Sequence, residues 1–154
     1  MNEKEKQQYI FGYIFLLANK LQILGDQLTG EITLKQWFLL NMIRNMENKF
    51  PNFNDIADVM GTSRQNVSKT ISVLEKKGMV TLHPSPKDQR SIYVELTEES
   101  HKYFQNKEDT GNLFLDQIFS GIDEKEIEMT MSVLMQMMKN AEDKLESKNQ
   151  ENQD

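Results

Sequence analysis

Gln65, Asn66, Ser68, Lys69 and Ser72 fall within eight consecutive residues, and their side chains are those that hydrogen-bond to base edges. Gln and Asn pair with adenine, Lys with guanine, and Ser with base or phosphate. Ser63, Arg64, Lys76, Lys87 and Arg90 lie close by in the chain and add hydroxyl and cationic groups of the kind that hold a DNA backbone or enter the minor groove. Enzyme chemistry has no comparable footing. The chain has no Cys nucleophile, no glycine-rich phosphate loop, no Gly-x-Ser-x-Gly and no His-Glu-x-x-His. Neither His83 nor His101 has a ligand partner at i+3 or i+4, so neither a metal site nor a cofactor is expected.

The elements around these residues would present them on one surface. At about 100° per residue, Val67, Ile71 and Leu74 share the face to be buried. Gln65, Lys69, Ser72 and Lys76 lie opposite, flanked by Asn66 and Ser68. A solvated helix face would carry similar residues, so its neighbours matter. Before it, Ile56, Ala57, Val59 and Met60 mark a shorter helix, Gly61 admits a turn with positive φ, and Ser63 is placed to cap the second helix. Lys76-Lys77-Gly78 is a helix stop. Met79 to His83 and Ser91 to Leu96 then alternate as two strands, with Val80 and Leu82 facing Ile92, Val94 and Leu96. The loop from Pro84 to Arg90 projects as a wing stiffened by its prolines, which lowers the entropy lost when Lys87 and Arg90 order against phosphate. Asp88 is expected to pair with a nearby Arg and fix the loop.

Taken together, Ile56-Ala57, Ser63 to Val67, the run Leu74-Glu75-Lys76-Lys77-Gly78-Met79-Val80, Asp88-x-Arg90 and Leu96-Thr97 resemble the MarR family of bacterial winged-helix transcription regulators, closely from Leu34 to Leu96. The resemblance implies a mainly α fold with a small β-hairpin wing: a winged helix-turn-helix flanked by N- and C-terminal dimerisation helices. It puts Gln65 to Ser72 in the major groove and Arg90 in the minor groove of double-stranded DNA. It also implies a homodimer, a repressor more than an activator, and a crevice for a small apolar or aromatic effector, with Phe11, Phe15, Trp37, Met42 and Phe104 as candidate lining residues. Plain core packing is the preferred reading of these five. The chain departs from the family at Gln89, where arginine is common, and at Ser100, where glycine is frequent; the first removes a cation from the wing.

Charge distribution supports this reading despite a net charge of −6. Residues 61–90 hold six Lys or Arg against Glu75 and Asp88, a local balance of +4, whereas residues 97–154 hold fourteen acids against six lysines, or −8. A remote acidic region is largely screened at a Debye length of about 8 Å. The absence of Cys excludes disulfides, and no apolar run suits a signal peptide or a membrane span, so the cytoplasm is the expected location.

Long apolar stripes flank the winged unit. Ile10, Ile14, Leu17, Leu21, Leu24 and Leu28 repeat at helical spacing, as do Ile127, Met131, Leu134, Met138, Ala141 and Leu145 after an Asp123-x-x-Glu126 capping box. A third helix is expected from about Glu98 to Phe119, opened by Thr97. With little of their own domain to pack on, these helices point to a second copy of the chain. The expected organisation is one domain over 1–146, with the winged unit at 30–97, dimerisation helices at 7–29 and 98–146, and a polar tail at 147–154. Thr33, Gln36 and the Ile32–Trp37 pair mark the start of a further short helix. The ten Met residues suit adaptable packing, and sulfoxide sensing is the sharper alternative. A winged-helix module that docks a protein instead of DNA is the alternative function.

Overall fold

Among the described residues, each of the six helices begins at a side chain that accepts an otherwise free N–H of the first turn. Asn2 and Glu5 form a reciprocal box at α1 (Glu3–Thr29), Thr33 and Gln36 at α2 (Leu34–Asn45), and Asn52 and Asp55 at α3 (Phe53–Met60). Ser63 caps α4 (Arg64–Lys76), Thr97 accepts from the Ser100 N–H in α5 (Glu98–Ile118), and Asp123 and Glu126 box α6 (Glu124–Glu151). The computed structural model describes residues 1–86 and 90–151, with side chains through Lys148. Lys87 and the expected Asp88–Arg pair therefore lie outside the described residues, as does Gln89.

Two strands, β1 (Val80–Pro84) and β2 (Ile92–Leu96), pair antiparallel with Val80 opposite Leu96, Leu82 opposite Val94 and Pro84 opposite Ile92. Val80 and Leu82 meet two of the three residues they were expected to face, while Ile92 is met by Pro84, which pairs in β1 although the sequence places it in the loop. Their inner faces join the core: Met79, Val80 and Val94 are buried with Ile56, Ala57, Val67, Ile71 and Leu74, and with Leu39, Leu40 and Ile43 of α2. The Val94 N–H turns away from β1 and donates to the Pro51 carbonyl at 2.9 Å, which attaches the hairpin to the segment before α3. Ser100, at the position where glycine is frequent in the resembling family, is fully buried and donates its hydroxyl to the Met79 carbonyl. That bond satisfies a polar group that burial would otherwise penalise.

The chain divides into two compact units, residues 1–111 and 112–154. In the first unit, the end of α1 packs against α2: a Cβ at Gly25 would lie 2.6 Å from Leu34 Cδ2, so a larger residue there would require the Leu34 side chain to shift. The earlier part of α1 is different, with Ile10, Ile14 and Leu17 of the expected stripe exposed. In the second unit, Ile127, Met131, Leu134, Met138 and Leu145 of α6 are exposed as well. The α6 backbone stays helical into the expected polar tail as far as Glu151, in keeping with the good helix formers Glu, Lys and Gln there. Among the described residues no helix is long and apolar enough to cross a membrane.

Candidate nucleic-acid interface

The turn between α3 and α4 is built locally. Gly61 sits at φ 59° and ψ 36°, the left-handed conformation that L side chains adopt at a cost, and the Gly61 and Thr62 N–H groups close back on the Asp58 and Ala57 carbonyls. Two residues later the Ser63 hydroxyl accepts from the Asn66 N–H at 3.2 Å and α4 starts. Because Val67, Ile71 and Leu74 are essentially inaccessible, the rotation of α4 is set, and its opposite side must face outward.

That side carries Gln65, Lys69, Ser72 and Lys76, all exposed, with exposed Asn66 at its flank. Ser68 is half-buried at the other flank. Several of these groups already have local partners. The Asn66 amide donates to Thr62 Oγ1 at 3.2 Å, and the Ser72 hydroxyl donates to the Ser68 carbonyl at 2.9 Å, so Ser72 offers an outside partner its acceptor capacity first. Among the described residues no carboxylate lies within 4 Å of the Lys69 or Lys76 ammonium, which leaves both cations available to an anion.

Arg64 is placed less simply than expected. It is exposed, but its guanidinium lies 5.9 Å from the centre of the Phe53 ring, at the start of α3. It borders the outward face and also ties α4 to α3. Arg90 is exposed where the loop returns to β2, and the base of the wing is closed by the Ser85 N–H donating to the Ser91 carbonyl at 2.7 Å. The hairpin's outer surface is braced by rings: His83 stacks on its cross-strand partner Tyr93 at 5.4 Å, and Tyr93 meets Phe50 edge-on at 5.0 Å. His83 Nε2 lies 3.1 Å from a Glu95 carboxylate oxygen.

Two features of the site escaped the sequence reading. Val73 is an apolar residue left 40% exposed on α4 between the Lys69 and Lys76 turns, and its angular position alone would have shown this. The second is the Asn52–Asp55 box that starts α3, an N-x-x-D signal present in the chain. The five effector candidates fall into different surroundings. Phe11 and Phe15 are exposed on α1, edge to face at 5.2 Å. Trp37 and Met42 are half-buried on α2. Phe104 is buried, with the Arg44 guanidinium 5.1 Å from its ring centre and Tyr103 edge-on.

Residues 31–91 match the MarR family model. Over 144 residues the chain is 25% identical to YfiV of Bacillus subtilis strain 168, described as an uncharacterised helix-turn-helix-type transcriptional regulator; the match covers 92% of this chain and 89% of that one. It is also 25% identical to the transcriptional repressor MprA of Escherichia coli K12, over 70% of this chain and 59% of that protein. Among solved structures, MepR of S. aureus in complex with DNA superposes with a TM-score of 0.74 at 20% identity, covering 85% of this chain and 96% of MepR.

Proposed function

We propose that the chain, whose residues 31–91 match the MarR family model, is a homodimeric DNA-binding repressor that reads an inverted repeat. The observation that carries this reading is the outward face of α4, polar and cationic, held by three sealed apolar side chains beside a wing. Gln65, Asn66, Ser68, Lys69 and Ser72 contact bases; Ser63, Arg64, Lys76, Lys87 and Arg90 contact backbone or minor groove. Two such helices related by a two-fold axis match half-sites about one helical turn apart. The second copy is recruited by the uncovered apolar faces of α1 and α6, and the assembly acts in the cytoplasm. An apolar or aromatic effector lodges beside Trp37 and weakens DNA binding by favouring a different arrangement of the two reading helices.

Selection of bound fragments from a genomic DNA library at about physiological salt tests this, because counterion-driven binding is then suppressed. One enriched inverted repeat is expected. Lys69→Ala and Arg90→Ala should each lower affinity for that repeat by about 1–3 kcal/mol. No enrichment, together with capture of a protein through the same basic face, would replace this reading with a docking module. For the effector, quenching of the sole Trp by a ligand that leaves DNA affinity unchanged at saturation would remove that part of the proposal.

A further inference from the structure

Lys76 and Lys77 are adjacent cations at the end of α4, but their surroundings differ. Lys76 is exposed, with no carboxylate within 4 Å of its ammonium among the described residues, whereas the Lys77 ammonium donates to the Glu31 carbonyl and lies 3.4 Å from Gln36 Oε1. The same Gln36 oxygen accepts from the Thr33 N–H in the box that starts α2. Lys77 therefore reaches from the end of α4 to the junction of α1 and α2.

That junction is held from several sides. α1 has no basic residue in its last turn, and its terminal carbonyls are met by donors from other elements. The Lys107 ammonium donates to the Leu28 carbonyl at 3.1 Å and the Tyr103 hydroxyl to the Thr29 carbonyl at 2.8 Å, both from α5. Gly30 follows at φ 73°, and the Leu34 N–H donates to Asp26 at 2.6 Å. The exit of α4 is also tied to α5, since Thr97 Oγ1 donates to the Gly78 carbonyl at 2.7 Å. α4, the α1–α2 junction and α5 thus form a closed triangle of hydrogen bonds, with Lys77 on the side that joins α4 to α1.

We propose that Lys77 is a positioning residue: by fixing α4 to the end of α1, it sets the separation of the two α4 helices in the dimer and the half-site spacing that the protein accepts. The inference rests on the dimeric DNA reading above. Lys77 itself touches no base. Removing its ammonium frees the angle between α4 and α1 without altering the reading face, so a single half-site is bound as before while discrimination among spacings is lost.

The test uses the full chain and the inverted repeat enriched from the library, with versions whose halves are moved together or apart by one base pair and a duplex carrying one half-site. Lys77→Met is expected to keep wild-type affinity for the single half-site and to lose about fivefold of the preference for the selected spacing. Lys77→Arg, which keeps the donors, should restore the preference. A second readout needs no DNA: as the chain has no Cys, Glu75→Cys accepts one spin label per protomer. The label-to-label distance should be narrow with Lys77 present and broad in Lys77→Met. An unchanged spacing profile with an unchanged distance distribution would overturn the proposal, as would equal loss on half-site and full repeat, which would make Lys77 a phosphate contact. If Lys77→Met fails to fold, Lys77→Gln, which removes the ammonium but keeps a polar side chain, is measured in the same way. If the wild type enriches no repeat, the DNA reading fails, and the distance measurement still decides the role of Lys77.

Discussion

Ile71 on α4 and Ile14 on α1 occupy equivalent places on two apolar helical stripes, yet the first is 0% and the second 37% exposed. Around Ile71, a second helix, a hairpin and α2 converge within one chain. Around Ile14 stand other uncovered apolar residues, Ile10, Phe11 and Leu17. Periodicity specifies which face of a helix seeks cover, and it is silent on what supplies the cover. The winged unit is sealed by its own chain; the first part of α1 is left uncovered.

The sharpest way to break that comparison is to truncate each kind of residue. Leu74→Ala should cost about 2–5 kcal/mol of folding stability, independent of protein concentration, because the site is already sealed. Leu17→Glu should leave the winged unit folded but lower the melting temperature in a way that varies with protein concentration, the mark of a weakened dimer. A concentration-independent loss at Leu17 would mean that α1 is stabilised within the protomer. Asn52→Ala removes both the acceptor for the first-turn N–H groups of α3 and the reciprocal box, and should cost about 1 kcal/mol by chemical denaturation.

The smallest effect concerns pH. The Leu34 N–H, then the Gln22 amide, hold the Asp26 carboxyl below its ordinary value of 3.8. A carboxyl lowered in the folded state contributes stability above its unfolded pKa and loses it as pH falls through the folded value. Asp26→Asn should therefore melt below the wild type near neutrality and converge with it in acid. A gap that persists in acid would assign the effect to packing. At the other extreme, burial and then the Glu31 charge push the Tyr103 hydroxyl up to about 12, so its contribution is present below pH 10 and drains away as pH rises toward 12.

What the sequence made legible was local. Gly61, Ser63 and Gly78 punctuate α4 through their own backbone preferences, and the Thr33–Gln36 and Asp123–Glu126 boxes act within a single turn. The outward face of α4 followed from three apolar residues at helical spacing. Contacts between distant residues were beyond it: Arg64 turning onto Phe53, Lys77 reaching Glu31, and the Arg44 guanidinium lying over the Phe104 ring. Each depends on which elements meet in space. No spacing rule encodes that.

The bond from the Val94 N–H to the Pro51 carbonyl has a consequence for solubility. A two-stranded hairpin leaves unpaired donors along its outer strand, where another chain's strand can add and start aggregation. At Val94 that donor is already used by a residue of the same chain, and the acceptor's own residue, a proline, has no N–H with which to extend the ladder. The middle of the β2 edge is thereby closed to a foreign strand.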